Sequence, residues 1–130
     1  MQVIDQLGGA GELVIGGKSM GGRIASMIAD EAGARGLVCL GYPFHPPGKP
    51  DRLRTAHLGG LCTPALIVQG TRDSLGSREE IDGYDLSSAI RVVYLEDGDH
   101  SFKPRSRSGR TLAKNMDDAV ASVAEFVEGL

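Results

Sequence analysis

The sequence predicts an α/β fold with a mostly parallel sheet and flanking helices, and three observations carry that expectation. Four short apolar runs, Glu12 to Ile15, Gly36 to Leu40, Ala65 to Gln69 and Arg91 to Leu95, are continuous rather than alternating, as strands covered on both faces are. Apolar residues at helical spacing stand between the first two runs and after the last. The resulting strand–helix–strand rhythm requires crossover connections between parallel neighbours.

Residues 1 to 11 read as the tail of a helix bearing Val3, Ile4 and Leu7, followed by a glycine-rich turn. The first strand then leads through Gly16 into Gly17-Lys18-Ser19-Met20-Gly21, a G-x-S-x-G motif. A serine nucleophile must stand clear of its sheet on a sharp strand-to-helix turn, and such a turn crowds the positions two before and two after it. Gly17 and Gly21 are expected to meet that demand. The following helix aims its first amides at the same spot.

That helix is marked by Met20, Ile24, Met27 and Ile28, with Gly33 placed to end it. The second strand passes into Tyr42 to Pro50, where Pro43, Pro46, Pro47 and Pro50 forbid helix or central strand. This loop leaves the C-terminal end of a strand, where α/β proteins bind ligands, and is expected to wall a pocket. Lys103 to Arg110, with four cations among Pro, Ser and Gly, reads as a solvated loop, with an anion or partner patch as the alternative. Leu112, Met116, Val120, Val123 and Val127 mark a last helix that stops near Gly129.

The 130 residues are expected to form a single domain spanning 1–130. A net charge of −3 gives no basic field for nucleic acid or an anionic membrane, so neither is expected as a partner. Cys39 and Cys62 lie in or beside apolar runs without a C-x-x-C arrangement and read as buried, reduced thiols, which suits a cytoplasmic protein. The N-terminus carries no basic segment followed by an apolar one, and no apolar run has the length of a membrane span.

Two phosphate-binding readings of the glycine-rich turn fail on register. A P-loop ending at Gly17-Lys18-Ser19 needs glycine at position 12, which is Glu12, and G-x-G-x-x-G finds no match across residues 8 to 22. The competing structural reading gives the glycines a tight turn and nothing more. If Ser19 is instead a nucleophile, it needs an imidazole to take its proton and a carboxylate to orient that ring. Asp73 follows the third strand through Gly70-Thr71-Arg72, and His100 follows the fourth through Glu96-Asp97-Gly98-Asp99. The order Ser, Asp, His, each at a strand end, satisfies the requirement. Asp99 is a competing carboxylate, but Asp73 lies at a separate strand end from which it could reach the far ring nitrogen. His45 is a candidate substrate contact, and His57 precedes the third strand.

With these residues in place, the chain resembles the C-terminal part of α/β-hydrolases of the dienelactone-hydrolase-like kind. It is most similar to the predicted hydrolase group related to a subunit of the NSL chromatin complex. The segments carrying the resemblance are Gly16 to Arg23, Leu40 to Pro50, Gln69 to Asp73 and Asp97 to Phe102. The resemblance implies a catalytic triad of Ser19, Asp73 and His100, with the backbone amide of Met20 as one oxyanion donor. It implies a small-molecule acyl substrate and neither cofactor nor metal. Dienelactone hydrolases use cysteine where this chain has Ser19, so their substrate does not carry over.

The departure from the family lies at the front. Such hydrolases place several strands, and the loop giving a second oxyanion amide, before the nucleophile strand. Without them the first strand is expected to be an open edge, and self-association as a homodimer through that edge is the expected remedy. A non-catalytic interaction module retaining the fold is the alternative function.

Overall fold

A computed structural model describes residues 13–130. The residues read as a helical tail, and Glu12 of the first strand, lie outside that range. The chain order is β1 (Val14–Lys18), α1 (Met20–Ala32), β2 (Gly36–Leu40), β3 (Ala65–Gly70), α2 (Arg78–Ile81), β4 (Ile90–Leu95) and α3 (Leu112–Glu128), with one 3₁₀ turn at Ser106–Ser108. The strands form one sheet in the order β1-β2-β3-β4, and every neighbouring pair is parallel. All four predicted strands are present, with β1 extending to Lys18 and so including the first two residues of the motif.

The continuity of the apolar runs has a simple cause: successive side chains go to opposite faces, and both faces are covered. Leu37 and Cys39 of β2, Ala65 and Ile67 of β3, and Val92 and Tyr94 of β4 enter a core shared with Ala25 and Ala29 of α1. Leu66 and Val68 of β3 and Leu95 of β4 enter a second core with Phe102 and with Ala119 of α3. Leu66 and Val68 are fully buried, and each such side chain contributes about 1.5–3 kcal/mol.

Both long helices form where expected, but each turns a different face inward than the spacing predicted. In α1 the buried residues are Gly22, Ala25, Ser26 and Ala29, while Ile24 is 56% and Met27 54% exposed. Small residues let the helix approach the sheet closely, which leaves the large ones outside. In α3 Asn115 and Ala119 face inward, Val123 and Phe126 are partly buried, and Leu112, Met116, Val120 and Val127 are exposed.

The loop from Tyr42 is not an open pocket wall. Its first half plugs the α1-side core, with Tyr42 and Phe44 fully buried and their rings 4.7 Å apart. The segment Lys103 to Arg110 is a largely exposed loop, as expected, although two of its four cations are paired, Arg105 with Asp97 and Arg110 with Asp118. Cys39 is buried, and burial pushes its thiol up to about 12. Cys62 is exposed, contrary to expectation, because it sits in the turn before β3 rather than in the strand. Helix α2 was not predicted, although Ser77 and Glu80 spell its capping box: the Glu80 amide donates to Ser77 Oγ, and the Ser77 amide donates to Glu80 Oε1.

Among the described residues β1 pairs only with β2. No helix there is long and apolar enough to cross a membrane.

Candidate active site

Parallel strands end at the same side of a sheet, so the loops after β1, β3 and β4 converge. Ser19 opens the turn after β1 with φ 53° and ψ −120°, a conformation that non-glycine residues rarely adopt and that costs on the order of 1–3 kcal/mol. The Ser19 amide donates to the carbonyl of Leu40 at 2.8 Å, which fastens the turn to the end of β2. Crowding explains part of the glycine pattern. A Cβ at Gly17 would stand 2.6 Å from the Gly21 carbonyl carbon, and one at Gly22 would stand 2.7 Å from the Gly17 oxygen. Gly21 was expected to be the crowded partner, but a Cβ there meets nothing within 4 Å.

Ser19 Oγ lies 2.8 Å from His100 Nε2, and His100 Nδ1 lies 2.8 Å from Asp73 Oδ2. With the proton on Nδ1 donated to the carboxylate, Nε2 is left to accept from the serine hydroxyl. Asp73 is fully buried and the His100 side chain 26% exposed, so the acid is dry while the ring borders solvent. The other Asp73 oxygen accepts from the Leu75 amide at 2.8 Å, which fixes the carboxylate plane. Asp99 does not compete for the ring, because its Oδ1 accepts the amides of Ser101 and Lys103 and closes its own loop.

The loops carrying Asp73 and His100 are laced together. The Arg72 amide donates to the Gly98 carbonyl, Arg72 Nε to that of Asp97, and the Asp97 amide to Thr71 Oγ1. Asp97 also accepts the Arg105 guanidinium and the Arg105 amide, which hold its carboxyl well below the usual range. Asn115 of α3, fully buried, donates to the carbonyls of Glu96 and Phe102 on either side of His100. Gln69, also fully buried, accepts the Tyr42 amide and donates to the carbonyls of Tyr42 and Gly76. The sequence signal for Gln69 was a lone polar residue at the end of an apolar run, whereas Asn115 stands among Lys114, Asp117 and Asp118 and carries no such signal.

The amide of Met20 is the first N–H of α1 and has no intrahelical acceptor by construction. His45, a candidate substrate contact with a structural role as the alternative, takes a structural position. Its ring is 3% exposed, with Nδ1 2.8 Å from the Pro46 carbonyl and Nε2 2.9 Å from Glu80, so neither nitrogen is left for a substrate. Burial opposes its protonation, but the Pro46 carbonyl and the Glu80 carboxylate outweigh that and raise its pKa. Among the described residues no three His, Cys, Asp or Glu side chains gather as a metal site requires.

The sequence matches the family described as the alpha/beta hydrolase domain over residues 1–128. The chain belongs to that family. The fold of this hydrolase domain is also similar to a solved structure described as an alpha-beta serine hydrolase homologue from Coxiella burnetii, with TM-score 0.56 and 22% identity. That likeness covers 68% of this chain and 41% of the other, so the hydrolase domain spans less than half of that relative's length. The sheet and its flanking helices are thus those of an alpha/beta hydrolase domain. The Ser19–His100–Asp73 chain of hydrogen bonds sits at the C-terminal side of that sheet. Two grooves, one bordered by Arg35, Phe126 and Leu130 and one wholly apolar between Leu40 and α3, contain none of those three residues.

Proposed function

We propose that this alpha/beta hydrolase domain is a serine hydrolase acting on carboxylic esters or thioesters through an acyl-enzyme. The observation that supports it most is the pair of 2.8 Å contacts joining Ser19, His100 and Asp73. His100 Nε2 takes the hydroxyl proton as Ser19 Oγ attacks the substrate carbonyl, and Asp73 stabilises the imidazolium that forms. The tetrahedral oxyanion receives the Met20 amide. Collapse breaks the bond to the leaving group, which departs with the proton from His100. Water, deprotonated by the same ring, then attacks the acyl carbon and releases Ser19 with the acid product.

Within the family, the dienelactone-hydrolase-like kind and the group related to the NSL complex subunit are the proposed relatives, and the substrate is a small acyl compound. The thiols of Cys39 and Cys62, both unpaired, accord with a reducing cytoplasmic setting. A second reading keeps the fold as an interaction module. The free side of β1 among the described residues and the exposed apolar residues of α1 and α3 favour it, and self-association through that side belongs to either reading.

A fluorophosphonate probe tests the hydrolase reading without a chosen substrate. Labelling is expected in the purified chain, absent in Ser19→Ala, and slowed on the order of a thousandfold or more in Asp73→Asn. A folded chain that takes no label, or a Ser19→Ala variant that still takes it, overturns the reading.

A further inference from the structure

We propose that Asn115 of α3 is a positioning residue for His100, its side-chain amide clamping both shoulders of the loop that carries the ring. The inference rests on reading Ser19 as a nucleophile served by His100, and it gives α3 a part in that same site.

His100 does not fasten its own backbone. Among the described residues neither its amide nor its carbonyl enters a backbone hydrogen bond, so the place of the ring is set by the residues on either side. Those shoulders are strained. Asp97 has φ 59° and Phe102 φ 71°, left-handed values that side chains other than glycine rarely adopt and that persist only where the surroundings hold them.

The first shoulder is held by charge. Asp97 meets the guanidinium groups of Arg72 and Arg105, and its amide donates to Thr71 Oγ1. The second has no such partner. The Phe102 amide donates within the loop, to the Asp99 carbonyl at 3.0 Å. The Phe102 carbonyl reaches out of the loop, accepting from Asn115 Nδ2 at 2.9 Å, and the same nitrogen donates to the Glu96 carbonyl at 3.2 Å. One amide group thus spans the loop from before Asp97 to Phe102, with His100 between.

The environment of Asn115 fits that role and no simpler one. Ala119, Val123 and Phe126 of α3 pack into the second core as apolar side chains, and burying an amide beside them is unfavourable unless it is fully bonded. Asn115 is fully buried. An asparagine amide offers two N–H donors and two lone pairs, and all four are used. Its Oδ1 accepts from Arg110 Nε at 3.1 Å and Nη2 at 2.8 Å, and Arg110 is itself anchored on Asp118 at 2.6 Å. The guanidinium demands the oxygen, which turns the NH2 group toward the two carbonyls. Filling the space would need only a leucine of nearly the same shape. With the clamp open, Phe102 is free to relax toward negative φ, and that rotation, two residues after His100, carries the ring away from Ser19 and Asp73.

Fluorophosphonate labelling of Ser19 and urea midpoints are compared in wild type and four variants. Asn115→Leu keeps the branched shape without donors, and Asn115→Asp keeps the Arg110 pairing but turns an oxygen on the carbonyls. Both are expected to slow labelling on the order of a hundredfold, the cost of about 1 Å of misplacement near reacting atoms. Arg110→Met alters only the partly exposed partner, so it folds where an interior variant fails, and it is expected to slow labelling in the same direction. Leu37→Val lies at the other end of β2 and is expected to lose stability without slower labelling. Labelling that tracks the urea midpoint across the four variants, or wild-type labelling in a folded Asn115 variant or in Arg110→Met, overturns the proposal.

A second arm needs no turnover. The chain has three histidines, and their ring resonances are resolved by carbon–proton correlation spectroscopy. In Asn115→Leu and Arg110→Met the signals of His100 are expected to move while those of His45 and His57 stay in place. A general loosening moves all three, and a purely space-filling residue moves none, and either result overturns the clamp. The two readings separate cleanly. A His100 signal that moves alone with wild-type Ser19 unlabelled retains the clamp and removes the hydrolase, whereas a labelled Ser19 indifferent to Asn115 does the reverse.

Discussion

The backbone of Gly41 passes so close to His100 that a Cβ there would stand 2.9 Å from the His100 carbonyl oxygen and 3.4 Å from the ring. Gly41 also carries φ +68°, and its amide donates to the Val68 carbonyl at 2.9 Å, so the end of β2 cannot move aside. Gly41→Ala is therefore expected to displace His100 from Ser19. Misplacement of about 1 Å near reacting atoms can cost on the order of a hundredfold, and the rate of Ser19 labelling is the measurement. A labelling rate unchanged from wild type would show that the His100 loop adjusts freely.

Two adjacent glycines in the first turn of α1 should respond oppositely to alanine. Gly21 faces open space, and alanine there gains helix propensity, stabilising by up to about 1 kcal/mol. Gly22 meets Gly17 at 2.7 Å and the Cys39 Cβ at 3.2 Å, and overpacking there is expected to cost about 1–3 kcal/mol. Urea midpoints of the two variants decide the matter, and a Gly21→Ala variant less stable than Gly22→Ala contradicts it.

The two thiols should differ sharply in reactivity. Cys62 is exposed and is expected to react with a chromogenic disulfide in the native protein. Cys39 is buried, its Sγ 3.4 Å from the Gly22 carbonyl, and burial pushes its pKa up to about 12, so almost none is thiolate at neutral pH. One thiol should be titrated in buffer and two in guanidinium. Rapid native reaction of both would mean that α1 opens readily from the sheet.

The His45–Glu80 pair gives stability a defined pH dependence. His45 is raised above its ordinary value of about 6.5, so its share is fully present below that pH and lost as pH rises through the raised value. Burial pushes the Glu80 carboxyl up, but the Ser77 and His45 hydrogen bonds overcome it and leave Glu80 lowered. Its share is present above the ordinary value of about 4.3 and lost as pH falls through the depressed one. Glu80→Gln should therefore cost most between about pH 4.5 and 6.5 and less at pH 9. Urea midpoints at pH 5.5 and 9 compare the two, and an equal penalty at both means that the pair is held by shape and not charge.

Much of the fold was legible because the signals are local. Continuous apolar runs gave four strands, since a strand buried on both faces has no room for polar residues. Gly17, at the end of β1, and Ser19 just after it gave the sharp turn, and the order of Ser19, Asp73 and His100 at three strand ends gave the residues that the sheet brings together. The existence of the two long helices was equally plain, although the four-residue α2 was missed, whereas helix orientation was not. Met20, Ile24 and Met27 repeat at the right spacing, yet α1 buries Gly22, Ala25 and Ala29, because close approach to the sheet favours small residues over large ones.

By itself, then, the sequence determined the strands, the sharp turn at Ser19 and its meeting with Asp73 and His100 at neighbouring strand ends, all of which follow from period, spacing and the steric needs of glycine and proline. The tertiary structure decided everything that depends on which atoms already have partners. It took both nitrogens of His45 for Pro46 and Glu80 and the Oδ1 of Asp99 for its own loop, and it left Asp73 as the carboxylate that His100 meets. It also left Arg23 Nε without an acceptor. A hydrogen bond is filled or vacant only once distant segments have packed, and a one-dimensional string of residue types carries no record of that competition.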